Sequence, residues 1–261
     1  MIWSTPSSYL AHLLPAQGSG PGHESQLSTH SSSSFGARSA FMRRRLSAGT
    51  MSPMRAPHPP VLAFGLIVLL GSLVVSGIQP FDRATWWLEV LPVLIALPIL
   101  LATYGRFPLT SLVYACIFVH ALVLMLGGAY TYARVPLGFQ LADLLHLSRN
   151  PYDKIGHFFQ GFVPALVARE VFIRAGTVRG RKMLVFIVIC VVMAISATYE
   201  LIEWAVAVAI GQGADAFLGT QGDPWDTQSD MFMAMIGAVT ALLLFSRLHD
   251  RQIARLQGDQ H

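Results

Sequence analysis

Residues 183–210 read MLVFIVICVVMAISATYELIEWAVAVAI, and the only charged side chains among those 28 are Glu200 and Glu203. A helix of that length measures about 42 Å, which exceeds the roughly 30 Å of a bilayer's hydrocarbon core. The stretch therefore reads as a membrane span that tilts or protrudes, and it carries two acids where lipid would make them costly.

Five further apolar runs lie on either side of it: Val61 to Ile78, Leu88 to Tyr104, Leu109 to Tyr132, Ile155 to Phe172, and Ser229 to Ser246. The second is the least regular, because Glu89, Pro92 and Pro98 interrupt it. Composition agrees with the count. Of 261 residues 53% are hydrophobic and 12% charged, against about 25% charged in an average soluble domain. The sequence thus predicts an all-α integral membrane protein, a bundle of about six transmembrane helices over residues 58–250 with a short tail at 251–261. Residues 1–57 are rich in Ser, Gly, Pro and His, hold Glu24 as their one acid, and include Arg43-Arg44-Arg45. Such a stretch buries too little apolar surface to offset its ordering entropy and is expected to be a disordered tail. Its arginine-rich, acid-poor character fits a transit peptide, a basic arm on an anionic membrane, or a start assigned too early, with Met42, Met51 or Met54 as the initiator.

An even number of spans places both termini on one side. Alternate segments divide the 18 basic residues 14 to 4, the minority being Arg83, Arg134, Arg149 and Lys154. The positive-inside rule then puts both termini in the cytoplasm, and leaving out the tail keeps the sign at nine against four. This distribution also accounts for the net charge of +4 without a nucleic-acid partner, since the basic residues gather on no amphipathic face. The bilayer is the partner the sequence implies. Cys116 and Cys190 both lie in apolar runs, which excludes a disulfide framework and a Cys-x-x-Cys site. Gly-x-Ser-x-Gly, Walker and His-Glu-x-x-His motifs are absent.

The polar residues that resist a purely structural account fall in the outer half. Asp153 and His157 lie four apart at the start of the fourth span, Glu200 and Glu203 three apart in the fifth, and Asp226 and Asp230 four apart at the start of the sixth. Each spacing places a pair on one helical face. A helix N-terminus explains Asp153 and Asp226 through the macrodipole, but not Glu200 and Glu203. The expectation is one site in which His157, Glu200, Glu203, Asp226 and Asp230 carry the chemistry, with Lys154 as a compensating charge. His157, Glu200 and Asp230 would be the ligands of a divalent metal. Oxygen donors with one nitrogen suit Mg, Mn or Zn, and the spacing selects none of them. The loop 211–226 has four glycines and no basic residue. Phe217, Leu218 and Trp225 would be odd in a solvated linker, so the loop is expected to fold over the cluster and to bring Asp215, Gly219, Gln221 and Asp223, with Asp153 and Lys154, to a bound substrate. His120, midway along the third span, is either a functional group or a neutral histidine bonded to a neighbouring helix. Glu170 and Arg174, four apart, read as an ordinary surface pair.

At these residues the sequence resembles the YjdF-like family of bacterial inner-membrane proteins. The features are Tyr152-Asp153-Lys154-Ile155-Gly156-His157-Phe158-Phe159-Gln160-Gly161-Phe162, then Arg169-Glu170, then Tyr199-Glu200-Leu201-Ile202-Glu203-Trp204. They continue through Ala214-Asp215-Ala216-Phe217-Leu218-Gly219-Thr220-Gln221-Gly222-Asp223 to Trp225-Asp226-Thr227-Gln228-Ser229-Asp230-Met231. The likeness covers about residues 60 to 250 and implies a membrane location and a site, without a substrate. A fainter resemblance, carried by Asp153, Lys154, His157, Glu200, Asp230 and Gly237, reaches the VanZ-like membrane proteins and implies cell-envelope chemistry.

Three function classes follow. An enzyme would use one of the carboxylates with His157 as acid and base, around a divalent metal, on a lipid or envelope substrate. A transporter-like module would load the same acids with protons or cations, with His120 alone continuing the polar path inward. A membrane scaffold needs no chemistry and leaves the glutamate pair unexplained.

Overall fold

The computed structural model describes residues 59–210 and 220–258, and among these every regular element is helical. Eight helices follow in chain order: α1 Pro59–Ile78, α2 Arg83–Thr103, α3 Ser111–Tyr130, α4 Pro136–Leu145, α5 Tyr152–Ala175, α6 Arg181–Ile210, α7 Asp226–Thr240 and α8 Ser246–Gly258. A 3₁₀ turn at Tyr132–Arg134 leads into α4, and a π-helical turn at Ala241–Phe245 joins α7 to α8 without a break.

Five of these helices are long and apolar enough to cross a membrane: α1, α2, α3, α6 and the continuous 33-residue helix from Asp226 to Gly258. Both prolines of α2 are accommodated inside one helix. That helix begins at Arg83, five residues before the apolar run, because Asp82 caps it by accepting from the Thr85 amide at 2.7 Å. The last helix runs on through residues 251–258, where Ile253 and Leu256 are buried, so the segment expected to be a tail is helical and packed as far as Gly258.

Helix α5, at 24 residues, is also long enough to span, about 36 Å. It differs in carrying Asp153, Lys154, Arg169, Glu170 and Arg174 toward its two ends. Its position explains that composition: α5 packs against α3, α6 and α7 and buries Gly156, His157, Gly161, Phe162, Ala165 and Leu166, whereas α1 buries Leu69 alone. A helix surrounded by helices meets protein rather than lipid, so it can hold polar groups that a peripheral helix cannot. Conversely, Val61, Phe64, Ile67, Val74 and Val75 of α1 are exposed, an apolar surface of the kind a bilayer covers.

The contact between α5 and α7 is set by two glycines. A Cβ on Gly161 would collide with the Ala234 backbone, and one on Gly237 with the backbone of Phe158 and Phe162. The two backbones are thus in direct contact, as small residues permit in helix pairs. Around the crossing lies an apolar cluster of Val113, Val163, Leu166, Val188, Val192, Ala238 and Ala241.

At one end of α5, Glu170 is completely buried, which corrects the surface-pair reading. Its carboxylate accepts from the Thr110 amide at 3.0 Å and hydroxyl at 2.8 Å and from Arg174 at 2.8 Å, and it pairs with His249 at 2.9 Å. Arg174 also donates to the Pro108 carbonyl and lies over the Phe107 ring. This network ties the α2–α3 loop, α5 and α8 together, and its donors replace the water that a buried carboxylate loses.

Candidate functional site

The other end of α5 is built from its first two turns. Asn150 fixes the entry: its side-chain carbonyl accepts from the Tyr152 amide at 3.0 Å and its amide donates to the Val135 carbonyl at 2.9 Å. Asp153, Lys154 and His157 then project from three neighbouring positions of the helix. The Gly161–Ala234 contact brings α7 close enough for Lys154 Nζ to reach Asp230 at 2.6 Å, Asp226 at 2.9 Å and the Ser229 hydroxyl at 2.6 Å.

His157 sits at the centre. Its Nε2 is 3.5 Å from Asp153 and 3.9 Å from Asp230, while its Nδ1 is 2.8 Å from Gln160 and 3.8 Å from Glu200 of α6. Side chains from α5, α6 and α7 thus converge on one imidazole. Glu200 is buried, and its oxygen nearest His157 has no hydrogen-bond partner. Glu203 is half-buried one turn further along α6, within electrostatic reach of Glu200 and His157.

Asp153, His157 and Asp230 can each offer one donor atom such that all three lie within 4.8 Å of one another. The trio differs from the expected metal ligands in one member. Asp153 takes the place of Glu200, because Asp153 and Asp230 share Nε2 while Glu200 faces the opposite ring nitrogen. Two carboxylates and an imidazole at that separation fit a hard or borderline divalent cation, which takes oxygen donors with one nitrogen.

Other expected residues play a different part. Lys154 is committed to Asp226, Asp230 and Ser229, so it neutralises the α7 acids. Asp226 and Asp223 are held by Arg149 at 2.9 and 2.7 Å, and Arg149 also donates to the Thr220 carbonyl. Gln221 exchanges two 3.0 Å hydrogen bonds with the Asn150 backbone. Asp223 and Gln221 therefore fasten the end of the glycine-rich loop to the entry of α5. Asp215 and Gly219 lie outside the described residues.

Sequence reasoning missed Arg149, Gln160 and Glu89 as members of this region. Glu89 of α2, read only as an interruption of a span, is buried, with the Tyr199 hydroxyl 3.4 Å away, and is close enough to feel the charges of Asp153 and His157. Tyr132 is beside it, and burial, reinforced by the Glu89 charge, pushes its phenol well above the ordinary value. The available signal was the acid itself, since an ionisable residue inside a span faces protein or water. His120 of α3 is stacked on Phe159, with an Nε2 that has no partner.

Comparison with known proteins gives the same class. Residues 61–251 match the family described as "Predicted membrane protein (DUF2238)". The chain is 58% identical over 201 residues to the inner membrane protein YjdF of Escherichia coli (strain K12), an alignment covering 77% of this chain and 96% of that protein. No solved structure matches.

Proposed function

The chain belongs to the DUF2238 family of membrane proteins, and from that premise we propose a six-span inner-membrane protein, both termini cytoplasmic, whose outward-facing acid and histidine cluster binds a divalent cation. Counting α5 as the sixth span is supported by its length and its central position. The orientation rests on the 14 to 4 division of basic residues. Residues 1–57, expected as a basic tail, lie outside the described residues.

The observation that carries the cation reading is the approach of Asp153, His157 and Asp230 within 4.8 Å, with an unpartnered Glu200 oxygen across the same imidazole. Charge accounting points the same way. Arg149 and Lys154 are spent on Asp223, Asp226 and Asp230, which leaves Asp153, Glu200 and Glu203 with His157 as the nearest compensation. Carboxylates in a low-dielectric site require a counter-charge or protons. A divalent cation would supply that charge and polarise a bound carbonyl or phosphoryl oxygen. Glu200, across the imidazole from Asp153, and Glu203, one turn further along α6, would be the groups that move a proton. The class this supports is an acid–base enzyme acting on a lipid or cell-envelope substrate.

The test is metal content. Protein purified in detergent, stripped with a chelator and titrated with Mn²⁺ or Zn²⁺ should bind about one ion per chain. Asp153→Asn and Asp230→Asn should each weaken that binding by at least tenfold, and Asp143→Asn, on exposed α4, should not. Absence of saturable binding in the unsubstituted chain would overturn the reading.

A further inference from the structure

We infer that α4 is an interfacial helix that lies on the bilayer surface at the site end of the bundle, with the acyl and headgroup boundary of the lipid as its partner. The inference stands apart from the cation reading. With α5 counted as a span, as proposed above, the chain leaves the membrane at the end of α3, Tyr130, and re-enters at the start of α5, Tyr152, which tethers the ten residues of α4 at both ends to one level of the bundle.

Its sequence has two apolar faces. Gly138 and Ala142, four apart, face the protein. A Cβ on Gly138 would strike the Asn150 side chain, the same side chain that enters α5 and holds the Val135 carbonyl. Leu137, Leu141, Leu144 and Leu145 fall at i, i+4, i+7 and i+8, a second stripe beside the first. Among them Leu137, Leu144 and Leu145 are 54%, 74% and 55% exposed. Asp143 and Gln140 occupy the remaining sector, which is exposed as well and also holds Phe139, 50% exposed, on the side away from the leucines.

A ten-residue helix that turns three leucines out of the protein needs an apolar partner, and its neighbours identify it. The spans expose large apolar side chains, Trp87 and Trp204 are exposed on α2 and α6, and Arg134, exposed as well, flanks α4 where phosphate groups would meet it. Aromatic and basic residues at one level mark a membrane boundary, and a short helix with an apolar stripe at that level lies in the interface plane. The consequence for the site is positional. Asn150 links α4 to Gln221 and the start of α5, so lipid headgroups would lie beside the Asp153–His157–Asp230 cluster.

The experiment places a single environment-sensitive nitrobenzoxadiazole probe on cysteine in liposome-reconstituted protein, in a chain where Cys116 and Cys190 are replaced by Ala. At Leu144→Cys the probe should be blue-shifted and quenched by lipids with a nitroxide near the headgroup. At Asp143→Cys it should be water-exposed and quenched by aqueous iodide. Should the cysteine-free chain not fold, the same pair compared over the chain that retains both cysteines gives the contrast as a difference. Equal iodide quenching at 143 and 144 would overturn the proposal. So would a blue-shifted probe at 144 that lipid nitroxides do not reach, which would mean that a protein surface, a second copy included, covers the stripe.

Discussion

Replacing Gly161 by Ala should be among the most destabilising single-methyl additions in this protein. The added Cβ would stand 2.7 Å from Ala234 Cα and closer still to the Ala234 carbonyl, whereas carbon atoms pack at about 3.5–4.0 Å. The obstacle is backbone, so no rotamer change relieves it, and α5 and α7 must move apart by about 1 Å. Overpacking of this kind costs about 1–3 kcal/mol where side chains can yield, and a backbone collision belongs at the upper end. At roughly 2–4 °C per kcal/mol for a domain of this size, the melting temperature in detergent should fall on the order of 6–12 °C. Gly71→Ala is the control: it adds the same methyl to α1, where nothing lies within 4 Å. Alanine is intrinsically the better helix former by about 1 kcal/mol, so this variant should melt no lower than the parent. Thermal unfolding followed by intrinsic tryptophan fluorescence reads both. Equal melting of the two variants would refute the argument that α5 and α7 meet backbone to backbone.

Three further outcomes follow from particular contacts. Glu170→Ala strands the Thr110 amide, Arg174 and His249 in a buried setting, and a broken buried pair costs about 3–5 kcal/mol, which should appear as a large loss of thermal stability together with protease sensitivity at the 104–110 loop. Asp82→Ala removes the α2 cap at a cost of about 1 kcal/mol. Because the Thr85 amide holds the Asp82 carboxyl below its ordinary range, that contribution is present above about pH 4 and is lost as pH falls through the lowered folded value, so the difference from the parent should shrink in acid. For topology, reporter fusions at Thr177 and Gly222 should give opposite signals, the first cytoplasmic; like signals would remove the span count and the orientation together.

What the sequence revealed and what it hid follow from the physics of each feature. A bilayer demands about twenty apolar residues for each peripheral helix, so α1, α3 and α6 were legible from local composition. The prolines of α2 read as interruptions because propensity scales describe helices in water, whereas a helix held by a cap and by packing carries Pro92 and Pro98 without a break. Helix α4 escaped notice because its ten residues fall far short of the length that marks a span. Glu170 was misread for another reason: a spacing of four says which residues share a face and nothing about what stands opposite, and its partners Thr110 and His249 lie 60 and 79 residues away. The same limit explains the candidate site. Local pairs such as Asp153 with His157 were visible and were expected to share one site with Lys154 as a compensating charge, while the service of Arg149 as a tie to α7 rests on a partner 77 residues away.

The arrangement of polar and apolar layers along α5 favours the proposed use of the acid cluster over a transporter-like one. Above the Gly161 crossing stand Asp153, Lys154 and His157; below it stand Arg169, Glu170 and Arg174. Between them lies the layer of Val113, Val163, Leu166, Val188, Val192, Ala238 and Ala241, all buried. Ser196 and His120 reach furthest toward that layer from the site side, and each has a buried polar atom without a partner. A charge moving from His157 to Glu170 would have to cross packed aliphatic side chains that offer it no donor or acceptor, at a cost that the membrane interior makes large. At the lower end Glu170 is moreover saturated by Thr110, Arg174 and His249, while His249 Nδ1 and one Arg169 guanidinium nitrogen are buried without a partner. An acid and histidine cluster on one side of such a layer fits the proposed reading of binding and chemistry at that face, in which Glu200 and Glu203 would exchange protons with the side that holds them rather than with the far side.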